Sequence, residues 1–159
     1  MVKILIIGGP GSGKTTFARK LSCRLNMPCF DLDDIFWNNE QGKAFTQKRS
    51  EEERLTLLNT LLNTHRSWII EGVYTKDWVQ PVYEQANHIF YINTNLYLRH
   101  VRIIKRYLTQ IIHPQEQKHK SSFYSLIQLL IWNQTNEQKR IDRFKQRLHQ
   151  TQKTCYKLR

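Results

Sequence analysis

Disulfide chemistry has little material here: the chain holds three cysteines, Cys23, Cys29 and Cys155, an odd set without CxxC spacing. Such a set predicts reduced thiols packed in a core and excludes a disulfide framework or a thiolate metal site. Proline (four) and glycine (six) are also scarce, which excludes collagen-like and low-complexity chains. No apolar run approaches the roughly 20 residues of a bilayer span. Ile4–Ile7 is short, and Leu126–Trp132 is interrupted by Gln128. The N-terminal apolar stretch stops at Gly8, short of the about 7 to 15 residues of a secretory signal. The expectation is a cytoplasmic monomer with no membrane partner.

Acidic residues are the other deficit. Lys and Arg number 25 against 13 Asp and Glu, a net charge of +12. Residues 1–80 hold 11 basic against 9 acidic residues, while 81–159 hold 14 against 4. A field of this kind suits nucleic acid, anionic lipid or a phosphate-rich substrate, and charge alone does not choose. With 40% hydrophobic residues in a chain of 159, one domain spanning 1–159 is expected.

Val2–Ile7 reads VKILII, a β-branched run suited to a strand buried on both faces. After Gly8–Gly13, Phe17, Leu21 and Leu25 recur at spacing four and predict a helix from Lys14 to about Asn26. Pro28–Asp31 reads as a short strand, and 33–48 as an irregular excursion over a cleft. Ser50 with Glu53 forms a capping-box pattern opening a helix to about Asn63. Trp68–Ile70 and His88–Ile92 read as strands, with helical turns around Pro81 between them. Leu96–Leu108 is helical and basic, 109–122 polar, and Phe123 opens one long helix to about Gln150; Thr154–Leu158 suits a last strand. Alternating strands and helices predict an α/β fold, a five-stranded parallel sheet with helices on both faces and ligands at the carboxyl ends of the strands.

Residues 8–15 read GGPGSGKT, a full GxxxxGK[ST] match between a predicted strand and a predicted helix. The physics of the motif is phosphate binding. Gly8, Gly11 and Gly13 let backbone N–H groups close on phosphates, and the helix N-terminus adds its dipole. Gly8, Gly9, Pro10, Gly11, Ser12, Gly13, Lys14, Thr15 and Thr16 are the expected nucleotide-binding residues. Lys14 would reach the β and γ phosphates, and the Thr15 hydroxyl would ligate Mg²⁺. No NKxD guanine-reading sequence is present, which disfavours GTPases.

Pro10 and Ser12 make this loop resemble that of adenylate kinase-like P-loop kinases, which include nucleoside monophosphate kinases and shikimate kinase. In pattern the chain resembles most the DNA topology modulation proteins of that family, through the loop, Leu32-Asp33-Asp34-Ile35-Phe36-Trp37 and Trp68-Ile69-Ile70-Glu71-Gly72. The resemblance implies a three-layer P-loop kinase with an acceptor-side excursion at about 33–63 and a short lid at about 106–122.

Phe30-Asp31-Leu32-Asp33 resembles the FxDxD element of shikimate kinase. Carboxylates at i and i+2 of a strand point the same way. On this reading Asp31 serves Mg²⁺ through water and Asp33 orients or deprotonates the acceptor; the alternative is that Asp33 or Asp34 caps a helix or turn, Asp34 being the one assigned to structure. Glu71 would hold Mg²⁺ through water, or stand as an ordinary strand-end charge. Gly72 suits close backbone approach to an acceptor. Arg102 and Arg106 share a helix face, and the resemblance implies that they clamp the transferring phosphate, with Arg140 and Arg143 possible partners; a solvated basic face is the alternative. Where the resembled kinases carry a Pro-Arg pair after the fourth strand, this chain has Asn93-Thr94-Asn95, so one phosphate-clamping arginine is either missing or replaced by Arg99. Arg49 and Arg54 are available to clamp an acceptor phosphate. The six histidines show no ligand spacing and are expected at the surface or at strand edges.

The leading expectation is a kinase moving the γ-phosphate of ATP·Mg²⁺ to a small-molecule acceptor, a nucleoside monophosphate or a hydroxyl compound. The alternatives are a nucleic-acid-associated ATP-binding protein using a basic helix at Lys139–Arg147, and a nucleotide-binding regulator without turnover.

Overall fold

The N-terminal β-branched run forms β1 (Lys3–Gly8) in a computed structural model that describes residues 1–38, 47–112 and 123–158. The chain continues through α1 (Lys14–Leu25), β2 (Cys29–Asp31), α2 (Leu32–Phe36) and a small antiparallel pair, β3 (Trp37–Asn38) and β4 (Gln47–Lys48). There follow α3 (Glu51–Thr64), β5 (Trp68–Gly72), a 3-10 turn at Asp77–Val79, α4 (Gln80–Gln85) and β6 (His88–Ile92). The second half adds α5 (Leu96–Ile112), α6 (Phe123–Thr135), α7 (Glu137–Thr151) and β7 (Cys155–Leu158).

The main sheet has five parallel strands in the order β2-β5-β1-β6-β7, as the strand–helix rhythm predicts. Alternation along β1 divides the core. Leu5 and Ile7 join Ile70, Ile89 and Tyr91 under Leu58 and Leu62 of α3, Val82 of α4 and Phe144 of α7. Ile4 and Ile6 face the other way, onto Phe17, Ala18 and Leu21 of α1. Full burial of such side chains stabilises by about 1.5–3 kcal/mol each, so the central strand fixes the level at which the glycine loop emerges.

Ser50 caps α3 as expected: its Oγ accepts from the Glu53 N–H at 3.2 Å, and the Glu53 carboxylate accepts from the Ser50 N–H at 2.7 Å. Other expectations need correction. The stretch after Asp31 is helical at once, because the Asp31 carboxylate accepts the Asp33 N–H at 2.9 Å and caps α2. Asp33 therefore sits on a helix, and strand alternation does not place it beside Asp31. The excursion then forms the β3–β4 pair, and its residues 39–46, with Gly42 and Phe45, lie outside the described residues.

Helix α5 runs four residues beyond Leu108, so the expected lid loses its first turn to helix, while 113–122 lies outside the described residues. The single long helix expected from Phe123 is two, broken at Asn136 (φ −101°, ψ 4°). There the Asn136 amide donates to Trp132 O at 3.2 Å and to Thr135 Oγ1 at 3.1 Å, local bonds that compete with helix continuation. Of the histidines, His100 departs from the surface expectation, its Nε2 being buried without a hydrogen-bond partner; His113 and His119 lie outside the described residues.

The cysteines are free, but Cys23 is exposed on α1 rather than packed in the core. Burial pushes the Cys29 thiol up to about 11, with Glu71 and Asp31 adding to the effect, and burial also raises Cys155. Only the thiolate attacks a disulfide reagent. Ellman's reagent at pH 8 is therefore expected to label Cys23 fast and the other two only after denaturation; three equally fast thiols in native protein would contradict this arrangement.

Candidate active site

The loop Gly8–Thr15 leaves β1, the middle strand of the sheet, and turns through positive φ at Gly11 (74°) and Gly13 (95°) into α1. Helix α1 has no acidic residue in its first turn and no side-chain cap, so its leading N–H groups are left for an anion. Neighbours brace the loop from outside. Thr94 Oγ1 donates to the Ser12 carbonyl at 2.9 Å, and Arg102 Nη1 donates to the same oxygen at 3.0 Å and to Gly11 O at 3.4 Å. Arg102 thus reaches the loop but grips its backbone. Arg106, expected beside it, is exposed and has no hydrogen-bond partner among the described residues.

Lys14 faces the carboxylates. Its Nζ lies 3.4 Å from Oε2 of Glu71, which is 1% exposed, and Glu71 pairs in register with Asp31 on the neighbouring strand. Glu71 is therefore not a solvated strand-end charge. Burial, then Glu71 and Asp33, push the Asp31 carboxyl up to about 7, against the Asp33 N–H bond and Lys14, which lower it. Two adjacent carboxylates share one cation, and Glu71 Oε2 accepts no hydrogen bond of good geometry. Such a site is short of positive charge. A hard divalent ion fits it: Asp31, Glu71 and the Thr15 hydroxyl offer oxygen only. Among the described residues no group of three or more His, Cys, Asp or Glu side chains forms a metal cage. Mg²⁺ is ordinarily held by one or two carboxylates together with substrate phosphates, and Asp31 and Glu71 are the two carboxylates present here.

Asp33 accepts the Tyr74 hydroxyl at 2.6 Å, and Tyr74 stacks on Phe36 with centroids 4.8 Å apart. Burial, followed by the Asp33 charge, raises the Tyr74 phenol far above its ordinary value, so it stays a donor and holds one Asp33 oxygen. Asp34 is exposed. Gly72 does not serve an acceptor: a Cβ there would fall 2.8 Å from Leu32 Cδ1, so the glycine lets α2 pack on β5.

The two candidate acceptor arginines separate. Arg49 Nη1 donates to Asp34 O at 2.7 Å, Ile35 O at 3.2 Å and the Trp37 carbonyl, and is spent holding the end of α2. Arg54 bonds through Nε to Arg49 O and Ser50 O at 3.0 and 3.1 Å, and its guanidinium lies 4.6 Å over the Phe36 ring. Arg54 also lines a depression of about 440 Å³ together with Lys76, Asp77, Trp78, Arg143 and Arg147.

The arginines closest to the first loop glycines are the two that sequence ranked lower. Arg99 and Arg140 are 2% and 5% exposed, and a Cβ on Gly9 would lie 2.9 Å from Arg99 Nη1 and 2.8 Å from Arg140 Nη2. Glycine at position 9 makes that approach possible. Arg99 donates to Glu137 Oε1 at 2.7 Å and to Asn133 Oδ1 at 2.5 Å. Arg140 reaches the same Glu137 oxygen only at 4.0 Å; the Trp132 ring lies 5.9 Å away and the Tyr91 phenol is nearby. Its Nε, Nη1 and Nη2 lack hydrogen bonds of good geometry. Desolvation first, and Arg99 second, lower the Arg140 pKa. Two buried guanidiniums therefore share one carboxylate at the edge of the phosphate loop. One signal for them was in the sequence: Glu137, a rare acid in the basic half, lies one turn before Arg140.

The basic face expected at Lys139–Arg147 is interrupted. Arg140 turns inward, and Arg147 pairs with Asp77 and Gln80 and donates to Thr75 O at 3.2 Å; Lys139 and Arg143 stay exposed.

A family model described as an AAA domain matches residues 4–158. The chain belongs to that AAA domain family. Among solved structures, this AAA domain chain is similar to a shikimate kinase from Acinetobacter baumannii in complex with shikimate. The two share 16% identity at a TM-score of 0.53, covering 100% of this chain and 84% of that one. At this identity the likeness is one of fold, and it places the parallel sheet and its glycine loop among P-loop kinase folds. No curated protein matches the chain.

Proposed function

We propose that this AAA domain protein is a small-molecule kinase that transfers the γ-phosphate of ATP·Mg²⁺ to an acceptor held beside Asp33. The observation that carries the reading is the imbalance at the loop: two buried guanidiniums, Arg99 and Arg140, have a single carboxylate between them at Gly9. An anion completes such a site, and a nucleotide phosphate on the loop is that anion.

On this reading Lys14 and the loop N–H groups bind the β and γ phosphates, and Arg140 adds donors where charge spreads during transfer. Arg99 is a positioning residue, locked by Glu137 and Asn133 and setting Arg140 against the loop. Thr15, Asp31 and Glu71 would hold Mg²⁺, which supplies charge neutralisation between the phosphates. Asp33 offers its free carboxylate oxygen to an acceptor hydroxyl, with Tyr74 fixing the other. Arg54, rather than Arg49, serves an acidic group on the acceptor. The resemblance to DNA topology modulation proteins stays one of sequence pattern, and with Arg140 buried and Arg147 paired with Asp77, Lys139, Arg143 and Lys145 are the α7 cations left for the nucleic-acid alternative.

The test is a screen for acceptor-dependent ATP consumption by the purified protein, over nucleosides, nucleoside monophosphates, shikimate and other hydroxy acids, and sugars. Acidic hydroxyl compounds are expected to stimulate turnover, and Arg54→Gln is expected to raise their KM about tenfold or more, the scale of a charged hydrogen bond. Stimulation by no compound, with ATP bound normally, would return the protein to a regulator without turnover.

A further inference from the structure

Of the seventeen large apolar or aromatic side chains exposed among the described residues, twelve lie on α5 and α6. On α5, Tyr97, Val101, Ile104, Leu108 and Ile111 recur at spacings of four and three and are 40–73% exposed, a seam of the kind a helix normally buries. Helix α6, packed against α5, exposes Tyr124 (71%), Ile127 (39%) and Ile131 (52%) at the same periodicity. Patches of this extent mark interaction surfaces. The ten residues joining the helices, HPQEQKHKSS, contain no apolar side chain except proline.

Charge selects the occupant. Between Glu84 and Glu137 the described residues hold no acid and four cations, of which Arg99 is buried on Glu137 and Arg102 bonds the loop carbonyls, leaving Lys105 and Arg106 for a partner. Lys105 and Arg106 are exposed on α5 itself, and α6 carries no charge at all. A second copy would bring the same basic flank against this one, and neither α5 nor α6 carries an acid to meet it, which disfavours self-association. Nucleic acid would meet the lysines and arginines but leave the apolar seam in water. An anionic lipid surface accepts both: the seam enters the headgroup boundary while the basic residues meet lipid phosphate and carboxylate. Tyr97, Tyr124 and the partly exposed Trp132 are side chains suited to that boundary.

We propose that the α5–α6 face is a docking surface for anionic membrane, on which the protein lies peripherally. No helix among the described residues is long and apolar enough to cross a membrane. Short apolar runs in the sequence exclude a spanning helix, and an amphipathic face on the surface does not need one. The inference is independent of the kinase reading.

The test is co-flotation of the full chain with vesicles of phosphatidylcholine alone and of equimolar phosphatidylcholine and phosphatidylserine. Binding to the anionic vesicles is expected to exceed that to neutral ones by about tenfold or more, and to weaken with added salt. The triple variant Leu108→Ser, Ile111→Ser, Tyr124→Ser changes only exposed side chains and is expected to lose that binding while keeping the wild-type melting temperature. Lys105→Gln, a charge change without apolar loss, is expected to weaken it severalfold. Wild-type protein that floats with neither vesicle overturns the proposal, as does vesicle binding indifferent to all of these changes. A dimer in sedimentation that the triple variant dissociates, without lipid binding, assigns the face to a second copy and overturns it equally.

Discussion

Lys14→Ala is expected to lower phosphoryl transfer by at least about 10³-fold, the scale at which a charge acting directly on a transferring phosphoryl group operates. Lys14 Nζ is the only side-chain cation within the GGPGSGKT loop, and it faces Glu71 at 3.4 Å. Arg99 and Arg140 lie against Gly9, buried in the packing of α5 to α7, and do not substitute for it. ATP affinity should fall together with turnover. Far-ultraviolet circular dichroism checks that the fold persists, as expected for a side chain at a loop edge. A variant with normal turnover would remove the loop from the chemistry.

Asp33→Asn is expected to cost about 10² to 10⁴ in transfer while leaving ATP·Mg²⁺ affinity within a few-fold, the pattern of a lost general base. Tyr74→Phe removes the 2.6 Å bond that holds one Asp33 oxygen and should cost less, since the carboxylate remains and only its orientation is freed. The two losses should not add, because both act through one group. Should Asp33→Asn instead abolish ATP·Mg²⁺ binding, the carboxylate belongs with Asp31 and Glu71 at the metal.

Sequence revealed the parts of this protein whose causes are local. The VKILII run, the glycine loop and the spacing of Phe17, Leu21 and Leu25 each carry their own structural cause, so β1, the loop and α1 stand where expected. The capping box at Ser50 is local in the same sense. Helix α2 escaped because five residues carry no periodicity, and its start depends on which way Asp31 turns. The arginines escaped for a different reason. On a basic helix arginine is ordinarily solvated, and Arg99 becomes buried only through Asn133 and Glu137, 34 and 38 residues away. Arg102 and Arg106 looked equivalent at spacing four, but only Arg102 reaches the loop carbonyls. A strand-end glycine such as Gly72 suits close approach of a ligand, and the group that approaches it is Leu32.

The claim on which the functional account stands is that a nucleotide phosphate neutralises the Arg99–Arg140 pair at the loop. Thermal unfolding of wild type and Arg140→Gln, each with and without ATP·Mg²⁺, tests it most directly, since bound ligand stabilises by RT ln(1 + [L]/Kd). Removing an under-paired buried cation is expected to leave the ligand-free melting temperature unchanged or raised. The same change should cut ATP affinity about 10-fold to 100-fold and shrink the nucleotide-induced shift accordingly. A wild type that ATP·Mg²⁺ does not stabilise, or an Arg140→Gln variant with the full wild-type shift, would contradict the account.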